Sequence, residues 1–404
     1  MGTGGTGGLG PQERLRWVRI GALGAVAMLL GYLETFLPIP IPGVKLGLAN
    51  IAVLVLLARG DAAGACWVAL IKVLASGLLF GSPITMAYSA VGTLLSLLAM
   101  VPLSRLRTMR LWMTSTVGAL AHEAGQLLVA QALLGTPLVW YGAPPLLVAG
   151  CATGVLCGMV AQRAARLLDE GAQDAADPMT QDATEAAGRI PATGTPRGKA
   201  YVDPRVALVV LITFALFTLH LHALAPLAVA LAVAAAACAW AQVTSREVLA
   251  ALAPTAFICG VTFVAQVLTL HDGTAAFQVV GLVVTYDALR ATGMAALRLV
   301  ALVCASVAYT RLQGADQMTG ALRWFLAPLE SFGLRLEGPL LALDVALGIL
   351  PLLAGESGNL RSQLRGAGGI SVALDALPRL VVHVYRMGER LALSSNATAG
   401  QRNE

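Results

Sequence analysis

The sequence predicts an all-α, polytopic membrane protein of two helical bundles joined by a cytoplasmic linker, and three observations predict it. Apolar residues make up 57% of the chain and charged residues only 12%, with a mean hydropathy of +0.76. A soluble chain carries about 25% charged residues, so too little polar surface is left here to coat soluble domains. The apolar residues fall in runs of spanning length, not in the alternating ten-residue segments of an outer-membrane barrel. Between two such sets of runs, residues 169–199 are rich in Asp, Glu, Gln, Thr, Gly and Pro and hold no apolar run, which is the composition of a flexible linker.

The elements follow in order. Residues 1–14 are Gly-rich and read as a disordered N-terminus. The apolar run after Arg14, Arg16 and Arg19 continues to Leu37, so it reads as a spanning helix that stays attached, not as a cleaved signal. The first domain, 15–168, takes six spans near 15–37, 44–58, 62–81, 84–103, 112–134 and 142–166. If these alternate, Arg14, Arg16, Arg19, Arg59, Arg105, Arg107, Arg110, Arg163 and Arg166 fall on one side, while Lys45 is the lone basic residue opposite. The positive-inside rule then puts the N-terminus and the linker in the cytoplasm of a cell-membrane protein. The second domain, 200–404, opens with Asp203-Pro204-Arg205 and takes spans near 206–222, 224–243, 250–270 and 294–312. The segment 277–292 is ambiguous, a short hairpin on the outer face being one reading. From Ala315 to Gly366 charges recur among apolar residues, which suits interfacial or groove-filling helices better than full spans. A last apolar stretch covers 372–393.

Several chemistries are excluded. The net charge of +5 belongs in cytoplasmic loops and does not read as nucleic-acid binding. The six cysteines form no CxxC pair and read as small buried hydrophobes. The nearest approach to a phosphate loop, Gly194 to Ala200, is one residue short, lacks the Ser or Thr that would hold magnesium, and sits in the linker. Two adjacent aspartates, as a prenyl-diphosphate synthase needs for magnesium, occur nowhere, nor do HExxH, GxSxG or Cys/His metal spacings. The expectation is a non-enzyme without catalytic residues, metal or cofactor.

Polar residues inside the spans mark the candidate site. His122 and Glu123 lie mid-span in an apolar helix, and Gln126 shares the face of His122 at i,i+4. An ionisable group there costs about 2.5–3.5 kcal/mol on insertion scales. Two readings stand, a polar cluster that orients a solute and a structural interhelical network. Lys72 also lies mid-span and needs a partner, with Glu123, Glu34 or a ligand as candidates. Lys45 and Asn50 begin the second span and read as contacts at a mouth, against an interfacial lysine that snorkels. Gly21, Ala22 and Ala25 give the first span a small-residue face for close helix approach.

Two resemblances bear on function. Gly31-Tyr32-Leu33-Glu34-Thr35 leading into Pro38–Pro42, the string Lys45-Leu46-Gly47-Leu48-Ala49-Asn50, and Ser115 to Gln126 around His122 resemble the Gx transporter family, long labelled heptaprenyl diphosphate synthase component I. The resemblance covers about 15–168, and Glu123 stands where that family has Asn. It implies a six-helix bundle similar to the substrate-binding S components of energy-coupling factor (ECF) transporters. Over about 200–400, Asp203-Pro204-Arg205, Arg298, Leu326-Ala327-Pro328-Leu329 and Ile349-Leu350-Pro351-Leu352 resemble the CbiQ family of ECF T components. Leu364-Arg365-Gly366 resembles its first coupling motif. At Thr398-Ala399-Gly400 the second lacks its arginine.

Together these imply a fused substrate-binding and coupling subunit of an ECF-type importer for a vitamin, cofactor or related small molecule. On that reading Lys45, Asn50, Lys72, His122, Glu123 and Gln126 contact the solute. Arg365, Gly366, Pro328 and Pro351 engage two ABC-type ATPase subunits, and Gly21, Ala22 and Ala25 join the two components. The other reading is a membrane subunit associated with polyprenyl (heptaprenyl) diphosphate synthesis.

Overall fold

The computed structural model describes residues 10–34, 46–79, 83–106, 108–134, 137–170, 202–269, 274–279, 282–313, 320, 324, 336–347, 349 and 376–387. The helices are α1 (Pro11–Glu34), α2 (Asn50–Ala58), α3 (Ala62–Leu79), α4 (Pro83–Ser104), α5 (Leu111–Leu134), a 3-10 turn (Pro137–Gly142), α6 (Ala143–Glu170), α7 (Pro204–Leu219), α8 (Leu224–Trp240) and α9 (Ser245–Thr269). A hairpin of β1 (Ala275–Val279) and β2 (Leu282–Thr285) then leads into α10 (Tyr286–Leu312). Helical stretches 337–347 (α11) and 376–387 (α12) follow. Among the described residues, the stretches Gln12–Glu34, Met86–Ser104, Pro137–Glu170 and Tyr286–Leu312 are long and apolar enough to cross a membrane. Pro204–Leu219 and Leu224–Trp240 are apolar but shorter. The chain is thus a helical, multi-span membrane protein.

Helix starts obey local chemistry. The Asp203 carboxylate accepts from Arg205 N–H at 2.8 Å and Pro204 fills the first helical position of α7, where its missing N–H has no intrahelical bond to lose. At α9, Thr244 N–H donates to Glu247 at 2.9 Å while Glu247 N–H reaches Thr244 Oγ1 at 3.4 Å, a reciprocal capping box. These bonds hold the Glu247 carboxyl below its ordinary pKa. α10 begins eight residues earlier than its expected span, because Thr285 Oγ1 accepts from Ala288 N–H and Asp287 lies in the positive first turn. The antiparallel hairpin before it pairs Gln278 with Val283 and Val279 with Leu282.

Packing of α4, α5 and α6 depends on missing β-carbons. One at Gly125 would lie 2.7 Å from Gly92 Cα, joining α5 to α4. On α6, Gly150, Gly154 and Gly158 recur every four residues. A β-carbon at Gly154 would sit 2.7 Å from Thr116 Cα, and one at Gly158 would run into Trp112 Cα. Such small-residue stripes let backbones approach where lipid supplies no hydrophobic drive for association.

One apolar core draws on both sides of 171–201: Leu23, Leu29 and Ile51 share it with Leu211, Ala342 and Val381. α1 lies at its centre, with residues 20–30 all buried. Ala22 and Ala25 are fully buried, and a β-carbon at Gly21 would lie 2.5 Å from Ala342 O. Trp17 covers Gly338, and Ala346 lies 3.4 Å from the β-carbon position of Gly24, so α1 and α11 run side by side in the same direction. The Arg19 and Arg59 guanidiniums stand 5.9 Å from the Tyr385 ring centre on α12.

A second joint is Arg298, buried at the middle of α10. Its Nη1 donates to Leu133 O at 3.0 Å and its Nη2 to Leu221 O at 2.8 Å. Leu133 is the penultimate residue of α5 and Leu221 follows the C-cap of α7. One cation thus satisfies carbonyls at two helix C-terminal ends, where the dipoles are negative.

Candidate functional site

The short α2 organises the site. It has only nine residues, about 13 Å of rise against a hydrocarbon core of about 30 Å. The turn that precedes it therefore lies at membrane depth, where irregular backbone is tolerated only inside protein or beside water. The polar groups of that turn are satisfied partly by other elements and partly within the turn. Leu46 O accepts from Cys157 Sγ of α6 at 3.3 Å. Leu48 N–H donates to the Glu34 carboxylate at the end of α1. Asn50 N–H closes the turn on Gly47 O at 2.8 Å, and Gly47 takes φ +71°, a left-handed conformation that favours glycine. Lys72 Nζ of α3 donates to Asn50 Oδ1 at 2.7 Å. A carboxylate, an amide and an ammonium thus converge on the positive N-terminal end of a half-length helix.

The second cluster lies on α5. His122 Nε2 and Gln126 Nε2 are 2.9 Å apart, as the i,i+4 spacing required. The imidazole lies flat on α4, where a β-carbon at Gly92 would come within 2.8 Å of its Cε1. Glu123 faces the other neighbour, its Cγ 3.3 Å from the β-carbon position of Gly150 on α6. Lys72 and Glu123 keep only 8% and 7% exposure. Burying such charges at membrane depth is costly and marks a site more often than a scaffold.

The structure therefore joins Asn50 to Lys72 and His122 to Gln126. Lys45, Pro328, Pro351, Arg365 and Gly366 lie outside the described residues. Sequence reasoning considered Glu34 only as a partner for Lys72 and Cys157 only as a buried hydrophobe, whereas both bind the turn before α2. It also passed over Gly150, Gly154 and Gly158, although their four-residue spacing is legible.

Fold and site define a class: a helical membrane protein with ionisable side chains gathered at membrane depth around a short helix. Residues 23–164 match the family model described as Heptaprenyl diphosphate synthase component I. The match holds both polar clusters and covers roughly a third of the chain. No curated protein and no solved structure matches.

This finding corrects the expected function. The match bears the name of a diphosphate synthase component, not of an ECF fusion, so the S-and-T-component recognition gives way. The ECF-type importer of a vitamin or cofactor goes with it, as do the two ABC-type ATPase partners assigned to Arg365, Gly366, Pro328 and Pro351. The expectation of a non-enzyme is corrected too, since the matched family is by its description a component of an enzyme. The small residues of α1 keep a packing role against α11.

Proposed function

We propose that the chain is a membrane subunit associated with polyprenyl diphosphate synthesis. The observation that carries this reading is the family match over 23–164, the segment that contains Glu34, Asn50, Lys72, His122, Glu123 and Gln126. The sequence holds no adjacent aspartates, so the magnesium chemistry of chain elongation falls to a catalytic partner enzyme. The subunit contributes an apolar interior at membrane depth with a few fixed polar groups, which suits an isoprenoid chain that grows too hydrophobic for water. Lys72, held by Asn50 beside the N-terminal end of α2, offers positive charge to the anionic end of such a molecule, with Lys45 at the mouth. His122 and Gln126 add neutral polar contacts.

On this reading the protein lies in the cell membrane with its N-terminus and the 169–199 linker in the cytoplasm, in keeping with the arginines grouped at one end. The linker divides a first unit, 15–168, from a second, 200–404.

The test is reconstitution in liposomes with a prenyl-elongating synthase, radiolabelled isopentenyl diphosphate and an allylic primer. The expected result is faster elongation or a longer product when the subunit is present, reduced in Lys72→Met. Product length and rate unchanged by the wild-type subunit would remove the reading.

A further inference from the structure

α10 carries a groove that the site above does not use. Its volume is about 790 Å³ and its lining includes Leu224, Asp287, Arg290, Gly293, Leu297 and Val300. These residues recur at three- and four-residue intervals along one face of the helix, with Leu224 of α8 as the other wall. The two charged residues sit together at one end, and the rest of that lining is apolar.

Helix geometry sets the depth of this groove. Arg290 and Arg311 lie twenty-one residues apart on α10, about 31 Å of rise, which matches the roughly 30 Å of bilayer hydrocarbon. Two arginines so spaced place Arg290 and Asp287 at one headgroup level and Arg311 at the other. Tyr286, 60% exposed beside them, is the amphipathic ring expected at that level. From Arg290 to Val300 the groove descends about 15 Å, the depth of one leaflet. At its middle a β-carbon on Gly293 would meet nothing within 4 Å among the described residues, so this glycine opens space and serves no described helix contact.

We propose that the groove holds one phospholipid whose head carries both a phosphate and a primary ammonium, as a phosphatidylethanolamine does. Arg290 binds the phosphate, Asp287 accepts from the ammonium, and an acyl chain lies over Gly293 between Leu297, Val300 and Leu224. Charge complementarity selects this occupant. A purely anionic head meets repulsion from Asp287, and a quaternary ammonium has no N–H to donate to it. The proposal does not depend on the role in prenyl diphosphate synthesis.

The experiment is native mass spectrometry of the full chain, delipidated and then exposed to equal amounts of phosphatidylethanolamine, phosphatidylglycerol and phosphatidylcholine. The wild-type chain retains one phosphatidylethanolamine in preference to the others by about tenfold, the worth of one charge-assisted hydrogen bond. Arg290→Gln loses retention of that lipid by a similar factor. Asp287→Asn erases the preference over phosphatidylglycerol. Gly293→Leu fills the groove and removes the bound lipid while the thermal transition stays in place. Equal retention of the three lipids by the wild-type chain, or an unchanged bound lipid in Asp287→Asn and Arg290→Gln, overturns the proposal. Should Gly293→Leu fail to fold, those two exposed positions still decide it.

Discussion

Glycine does opposite work in the two parts of this molecule. Between α4, α5 and α6, glycines mark places where backbones touch. Gly125 lies on Gly92, Gly154 on Thr116 and Gly158 on Trp112. In α9 and α10, Gly260 and Gly293 have no described atom within 4 Å of a β-carbon. The first part gains stability from contact that no larger residue permits. In the second part, α10 joins its neighbours with the Arg298 side chain, and its glycine leaves a gap. The same residue type thus signals a packing seam or a vacancy, and only the neighbouring helix decides which.

Substitutions can break or sharpen that contrast. The largest effect belongs to Arg298→Leu, which strips two buried carbonyls of their donor. A loss of about 3 kcal/mol is expected, since each hydrogen bond to a charged group is worth about 1.5–3. Thermal unfolding in detergent measures it, and a transition close to that of the wild type would show that the guanidinium is not a joint. Gly158→Ala follows. Its methyl would enter the Trp112 backbone, and the strain of overpacking costs about 1–3 kcal/mol. Replacing Lys72 by Met removes the bond to Asn50, at about 0.6–1.7 kcal/mol by the worth of interhelical hydrogen bonds in membranes.

The contrast sharpens at Gly293→Ala, where the sign reverses. With space free and a helical backbone, the change stabilises by about 0.5–1 kcal/mol. A destabilisation instead would mean that something presses on that face. The smallest effect is at Glu247. Its carboxyl is held below its ordinary pKa by Thr244 and, less, by Arg311. A depressed carboxylate contributes stability that is present above the unfolded value of about 4.3 and lost as pH falls through the folded one. A slight fall in the melting temperature below about pH 4 is expected, and it should vanish in Glu247→Gln.

Hydropathy made most helices legible, because long apolar runs have no other stable form in lipid. Their lengths were less so. α2 reads as a span from 44 to 58, yet the helix begins only at Asn50, because Gly47 turns left-handed and the backbone is satisfied by Glu34 and Cys157 far away in sequence. The start of α10 was recoverable, since Thr285 and Asp287 are ordinary helix-opening residues, but an apolar count starts too late to notice them. In the site, the His122–Gln126 pair follows from spacing on one helix. The Asn50–Lys72 bond joins two helices, and no local pattern announces it. The imported function failed for a different reason, since resemblance among apolar helices is carried by few distinctive residues.

The position of α1 has a consequence for biosynthesis. α1 leaves the ribosome roughly 320 residues before its neighbours on α11, on the order of half a minute at typical elongation speeds. Until then the face at Gly21 must meet lipid or an insertion chaperone, whereas Gly24 already lies against Ile71 of α3. Premature termination anywhere before residue 337 would leave that one face of α1 without its cover, giving a product fit for quality-control proteolysis.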